Sequence, residues 1–322
     1  MPKTRWGIMG TGRIAGIFCN MLDKLEGAEI YAVASRTLDK AKAFADKYQA
    51  DTYYGSYEAL VADPQVDIIY VATPIACHYD NVKLCLEHGK HVLCEKALTA
   101  SSEQAKELYR LAKEKRLLLS EALWTKCQPV FRKVMEWYKD GKFGEIQAVE
   151  ARFYTAATKD HRLIKYKEQG GVLFDLMIYP LMYACALLGY NPESIHAVAI
   201  KGEDDIDIME SVHLKYANST FAALTAGLSH ERQISLYIQG TKGRLIIREE
   251  FFFQATRAEL VDWDNQVIDS IDAPFDINGY EYEAMEAMRC LAEGKTSSDL
   301  LPPEETIAAL ELLEKCKAAW EA

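Results

Sequence analysis

The stretch that most constrains the fold is Gly10-Thr11-Gly12-Arg13-Ile14-Ala15, because it stands between an apolar strand candidate, Arg5 to Met9, and a helical pattern running through Leu25. A GxGxxA turn in that position has a physical logic. Gly10 permits a tight turn, Gly12 keeps a side chain out of the path of a pyrophosphate, and Ala15 lets helix and strand pack closely. Phosphates would rest on the unpaired N–H groups at the helix start. Glycine is common in turns, so the strand-to-helix context carries the reading more than the triplet does. Thr11, Arg13 and Ile14 belong to the same expected cofactor contact.

The segments that follow alternate between strand and helix. Glu29 to Ser35 predicts a second strand, then a helix over Leu38 to Gln49 and a short strand at Tyr53-Tyr54. Ile68 to Ala72 is a continuously apolar run of the kind buried on both faces, and it ends in Thr73-Pro74. A helix from His78 to Gly89, a strand from His91 to Lys96, a helix from Ser101 to Lys115 and a strand from Leu117 to Ala122 complete six repeats. This pattern predicts an α/β fold with a doubly wound parallel sheet and right-handed crossovers.

Strand ends in such a sheet open onto the ligand crevice, so Thr73, Pro74, Glu95 and Lys96 are candidate contacts there, with His78 in the next helix's first turn. For His78 the alternative is a structural role, and for Lys96 a solvated loop lysine. After the second strand comes Ser35-Arg36, where an acidic residue would favour NAD. A hydroxyl beside a guanidinium suits a 2′-phosphate, so NADP is expected, with Asp39 keeping NAD open.

Several partner classes are disfavoured by composition. Lys plus Arg is 37 against 48 Asp plus Glu, a net charge of −11, with no long basic block, which argues against nucleic acid or an anionic membrane. No apolar run is long enough to span a bilayer and no leader pattern is evident, so a cytoplasmic location is expected. The eight cysteines are scattered, without CxxC or zinc spacing, which predicts reduced thiols and no metal site.

Beyond Trp124 the pattern changes. One helix, Pro129 to Lys139, precedes strands at Glu145 to Tyr154, His196 to Lys201, Met209 to Tyr216, Thr220 to Leu228 and Gln233 to Gln239. Thr241-Lys242-Gly243 reads as a turn before Arg244 to Glu249. This predicts an α+β domain with a large open, mainly antiparallel sheet. A partner subunit is the simplest cover for such a sheet, so a homodimer or dimer of dimers is expected. The helix from Leu173 to Leu188 carries Asp175 and Tyr179 four residues apart, on one face. Helices at Gly279 to Glu293 and Pro303 to Ala322 carry apolar residues at helical spacing. The expected division is residues 1–122, 123–302 and a C-terminal helix 303–322 that returns to the first domain.

GTGRIA, the ATP of Ala72 to Pro74 with His78, CEKA (Cys94 to Ala97), GGVLFDLMIYP (Gly170 to Pro180), GYEYEAMEAMRCLAEGK and LPPEET together resemble the Gfo/Idh/MocA oxidoreductases over essentially the whole chain. EALWT (Glu121 to Thr125) and Tyr179 resemble its dihydrodiol and NADP-dependent aldose dehydrogenase branch. The resemblance implies hydride transfer between nicotinamide C4 and the carbon of a secondary alcohol, sugar, polyol or trans-dihydrodiol. It also implies Lys96 as the catalytic lysine and Asp175 with Tyr179 as its partners in the second domain. A nearby ammonium would lower a tyrosine's ionisation, which normally lies near 10, so Tyr179 is expected to exchange the substrate proton. The reverse assignment, with Lys96 as proton carrier, stays open.

Trp124 and Arg162 are expected at the substrate, with interdomain packing and a solvated loop as their alternatives. The family's proline after the lysine is Ala97 here, and a trans Lys96-Ala97 peptide is expected, since a cis bond before a non-proline residue is intrinsically costly. Two other readings remain. One is a glycosidase using NAD for transient oxidation, and the other is a nucleotide-binding regulatory protein without catalysis.

Overall fold

The computed structural model describes residues 3–157, 163, 171–202, 205–247 and 251–321. The chain divides into two compact units, Met1–Cys127 with Asp276–Ile307 and Gln128–Phe275 with Ala308–Ala322.

In the first unit, β1 (Thr4–Met9), β2 (Ala28–Ala34), β3 (Thr52–Tyr54), β4 (Ile68–Val71), β5 (His91–Glu95) and β6 (Leu119–Ala122) form one parallel sheet in the order β3-β2-β1-β4-β5-β6. The order reverses between β1 and β4. Neighbouring strand ends diverge at that switch, and the crevice between them lies where Gly10 and Thr73 leave the sheet. The crossovers contain α1 (Arg13–Leu22), α2 (Leu38–Tyr48), α3 (Tyr57–Ala62), α4 (His78–Glu87) and α5 (Ser102–Lys115). Of these only α3 was not anticipated. It is six residues long, too short to show a helical period, and the Ser56 hydroxyl caps it by accepting from Ala59 N at 3.2 Å. Every β4 residue is buried, as its unbroken apolar run predicts.

Trp6, Phe18 and Tyr70 form the aromatic heart of this core, with Phe18 stacked on Tyr70 at 3.8 Å. Into the same cluster the helix Glu281–Ala292 inserts Ala284, Ala287 and Cys290. The segment Asp276–Ile307 thus joins the first unit, whereas the sequence reading put its greater part in the second domain. Small apolar residues at helical spacing signal burial but not the surface that buries them. The start of that helix is fixed by the Glu281 carboxylate, which accepts from the amides of Ile277, Asn278 and Gly279 at 3.0, 3.1 and 2.6 Å.

The second unit starts with α6 (Pro129–Lys139), matching the sequence expectation residue for residue. Its sheet contains β7 (Ile146–Ala156), β8 (Ser194–Lys201), β9 (Asp207–Lys215), β10 (Phe221–Ser229), β11 (Gln233–Gly240), β12 (Arg244–Ile247), β13 (Arg257–Val261) and β14 (Val267–Asp272), in the order β14-β13-β12-β11-β7-β10-β9-β8. The pairing is antiparallel except between β7 and β10. β13 and β14 were not anticipated. α7 (Ile178–Leu188) is entered through a π-helical turn, Leu173–Met177, so the single expected helix is a composite. β7, β10 and α7 share a buried face. On the other face, register aligns Val198 with Ser211 and Thr225, and Ile200 with Met209 and Gly227. Val198 and Ile200 are 67% and 58% exposed.

Candidate active site

The turn after β1 behaves as its glycines require. Gly10 has φ +103°, its N–H donates to Ala34 O at 3.0 Å, and a Cβ there would lie 2.9 Å from Ala72 O. Gly12 differs: it caps α1 from an extended backbone with no side-chain hydrogen bond, and a Cβ there would meet nothing within 4 Å. Packing therefore does not demand glycine at position 12, whereas close approach of a pyrophosphate to the α1 amides does. Thr11 Oγ1 lies 3.3 Å from Ser35 Oγ and links the loops after β1 and β2. Ser35 is buried, Arg13 and Arg36 are exposed, and Ile14 is half-buried. A groove beside the turn is lined by Thr11, Gly12, Arg13, Asn20 and Lys47. These groups fit a dinucleotide: uncapped amides for its pyrophosphate, and a hydroxyl with a guanidinium after β2.

Lys96 follows the last residue of β5 and is half-buried. Its amide donates to Glu95 Oε2 at 3.3 Å, and Glu95 Oε1 accepts from the Tyr70 hydroxyl. The Lys96-Ala97 peptide is cis, which overturns the expectation of a trans bond. That expectation weighed only the intrinsic preference of a non-proline peptide. Here the peptide that follows is held at both its polar atoms: Ala97 O faces His78 Nδ1 at 2.9 Å, and Leu98 N donates to Glu121 Oε1 at 2.9 Å.

His78 is 1% exposed, and its other ring nitrogen faces Thr73 O at 2.8 Å. With both nitrogens directed at backbone carbonyls, His78 ties the loop after β4 to the loop after β5. Burial holds its pKa below the ordinary histidine value. Asn81, three residues on along α4, donates to Thr73 Oγ1 at 2.9 Å. Pro74 opens the short helical turn Ile75–Cys77.

Three groups here had no sequence signal: Tyr70, Asn81 and Glu283. The Glu283 carboxyl is buried with no hydrogen-bond partner among the described residues. Burial, and then repulsion from Glu95, push its pKa well above the carboxylate range. Trp124 is 4% exposed and stacks on Tyr280 at 4.1 Å with planes 11° apart, so one ring face is committed to packing.

In the second unit, Asp175 lies in the π-helical turn and Tyr179 at the start of α7. The Tyr179 ring packs against Phe153 at 5.7 Å and Phe253 at 4.9 Å. Tyr183 is the core tyrosine of this helix, with its hydroxyl donating to Phe252 O at 3.2 Å. Asp207 Oδ2 accepts from Leu173 N at 2.8 Å and so anchors the turn carrying Asp175. Facing Asp207 is Glu210, whose carboxyl is pushed up to about 10 by burial and then by Asp207. Arg162 and Gly170 lie outside the described residues.

Residues 4–123 match the oxidoreductase family with an NAD-binding Rossmann fold, Gfo/Idh/MocA, and residues 131–246 match that family's C-terminal domain. The chain belongs to the Gfo/Idh/MocA oxidoreductases. It is 32% identical to the trans-1,2-dihydrobenzene-1,2-diol dehydrogenases of Bos taurus and Mus musculus, over 98% of this chain and 96% of each relative. Among solved structures, it resembles KijD10, a 3-ketoreductase from Actinomadura kijaniata in complex with NADP and TDP-benzene. There the TM-score is 0.87 and identity 26%, covering 99% of this chain and 98% of that one. Levoglucosan dehydrogenase, solved with NADH and levoglucosan, shares the fold at TM-score 0.85 and 16% identity, covering 99% and 97%. No helix among the described residues is long and apolar enough to cross a membrane.

Proposed function

We propose that this Gfo/Idh/MocA member is an NADP-dependent dehydrogenase that moves a hydride between nicotinamide C4 and a hydroxyl-bearing carbon of a trans-dihydrodiol, sugar or polyol. The carrying observation is the placement of Lys96 directly after β5, tied through His78 to the loop after β4 at the sheet's switch point. Dehydrogenases of trans-dihydrodiols are the relatives at 32% identity, which supports a small vicinal diol or sugar as substrate. Preference for NADP rests on Ser35 and Arg36, a donor pair suited to a 2′-phosphate.

When bound, the nicotinamide supplies the hydride acceptor. The α1 amides, Thr11 and Ser35 hold the dinucleotide, and Thr73 and Pro74 border its reacting end. Tyr179 is the group we assign to exchange of the substrate hydroxyl proton, and Lys96 is the cation we assign to polarising the substrate. Asp175 orients the substrate hydroxyl or Lys96. Acid-base assistance of this kind contributes about 10²- to 10⁴-fold in rate. The outward face of the second unit's sheet, with Val198 and Ile200 exposed, is the surface we assign to a homodimer contact. A cytoplasmic location accords with eight free cysteines, seven of them buried.

The test is a panel of aldoses, polyols and trans-dihydrodiols, each supplied with NADP⁺ or NAD⁺ and followed by the absorbance of the reduced nicotinamide. Turnover with NADP⁺ on at least one class is expected. Turnover confined to NAD⁺ contradicts the cofactor assignment, and no turnover on any class contradicts the activity.

A further inference from the structure

Glu121 is a charged residue inside a buried parallel strand. It lies in β6 opposite Cys94 of β5 and is 3% exposed. A buried carboxylate survives only when hydrogen bonds and opposite charge replace its water. Oε1 accepts from Leu98 N at 2.9 Å, and Oε2 accepts from Thr306 Oγ1 at 3.0 Å.

Burial raises the pKa of this carboxyl, and the Leu98 amide, the Thr306 hydroxyl and the charges of Lys126 and Lys96 oppose that rise. Lys126 is itself paired with Glu305, the residue before Thr306 in the helix Pro303–Glu321. Tyr109 and Cys94 also face Glu121, and burial keeps both neutral. On the other side of the loop, the Lys96 charge acts on His78, and the Lys96 backbone amide donates to Glu95 Oε2. The backbone just after Lys96 is thus held twice, Ala97 O by His78 and Leu98 N by Glu121. Both partners are buried.

We propose that Glu121 is a positioning residue for Lys96: it fixes the Leu98 amide, and with it the loop that presents the lysine, and its carboxylate is an anionic neighbour of the ammonium. Thr306 and the Lys126–Glu305 pair lock the carboxylate in that orientation, which couples the start of the last helix to the site. This gives EALWT a role in catalysis that does not depend on Trp124 touching substrate. The inference rests on the reading of Lys96 as catalytic.

The experiment measures kcat, KM for NADP⁺ and for substrate, melting temperature and the pH profile of kcat/KM for Glu121→Gln, Glu121→Ala, Thr306→Val and Lys96→Ala. Glutamine retains an acceptor for Leu98 N and can donate to Thr306 Oγ1, so it separates charge from hydrogen bonding. Glu121→Gln is expected to lower kcat by about three- to tenfold. It should also move the Lys96-dependent limb of the profile to lower pH by about half a unit, because the ammonium has lost an anionic neighbour.

Glu121→Ala, which releases the loop, should cost about 100-fold in kcat with KM for NADP⁺ changed less than about threefold. Thr306→Val should fall between the two. If Glu121→Ala does not fold, the glutamine and valine variants decide the question. Wild-type kcat and pH profile in Glu121→Gln and Thr306→Val, with Lys96→Ala inactive, would overturn the role of Glu121 alone. Full turnover in Lys96→Ala would overturn this inference together with the proposed function.

Discussion

Replacing Gly12 by alanine separates folding from nucleotide binding, because the structure assigns that glycine no packing role. Its φ of −83° and ψ of −177° are open to any L-residue, and the added Cβ meets nothing within 4 Å. Alanine also restricts the unfolded chain, so the substitution should leave the folded protein unchanged or more stable by about 0.4 to 1 kcal/mol. The pyrophosphate, however, must come within hydrogen-bond distance of the α1 amides, and a methyl group in that path displaces it. Losing one charge-assisted hydrogen bond costs about 1.5 to 3 kcal/mol, which corresponds to roughly ten- to hundredfold in dissociation constant. Thermal melting gives the first quantity and titration of NADPH fluorescence the second. Gly10→Ala is the control. At φ +103° and 2.9 Å from Ala72 O, it should lose about 1 to 3 kcal/mol of stability. Unaltered NADPH affinity in Gly12→Ala refutes the assignment of this turn, as does a stability loss equal to that of Gly10→Ala.

Two further perturbations probe charge. Glu210 is held protonated in the fold up to about 10, whereas the unfolded carboxyl ionises near its ordinary value. Between those values only the folded state keeps the proton, so stability falls as pH rises, by about 1.4 kcal/mol per unit, or roughly 3 kcal/mol from about pH 6 to about pH 8. Glu210→Gln should remove that slope, read from denaturant midpoints at the two pH values, and parallel pH dependence in both proteins would count against the buried neutral acid. Arg36→Ala should raise KM for NADP⁺ about tenfold or more and leave KM for NAD⁺ within about twofold, since one charge-assisted contact to the 2′-phosphate is lost. Equal changes for both cofactors would place Arg36 away from the ribose.

The first unit was readable because buried parallel strands appear as unbroken apolar runs, and β4 is buried at every residue. α6 was located to the residue because Pro129 starts it and one face, Val130, Phe131, Val134 and Trp137, is buried. β13 and β14 escaped because their outward residues alternate with charge: Val267 and Ile268 are exposed, and Asp269 serves the Trp137 indole and the Lys142 ammonium. At the site, Gly10, Gly12 and Lys96 are visible because each sits at a strand end. His78 was visible as a residue but not as a tie between two loops, since both its partners are backbone carbonyls. Glu121, Tyr70 and Glu283 act across the sheet or from a helix nearly two hundred residues away in the chain, distances that no local pattern spans.

In the proposed mechanism Lys96 and Tyr179 carry the proton chemistry of a nicotinamide dehydrogenase. The most direct measurement is steady-state reduction of NADP⁺ by a trans-dihydrodiol or aldose with the wild-type enzyme, Lys96→Ala and Tyr179→Phe. NADPH affinity of the tyrosine variant is measured alongside. Expected are turnover by the wild type, a loss of about 10²-fold or more in kcat for each variant, and NADPH affinity within about threefold for Tyr179→Phe. Wild-type kcat in either variant across the pH range would contradict that mechanism.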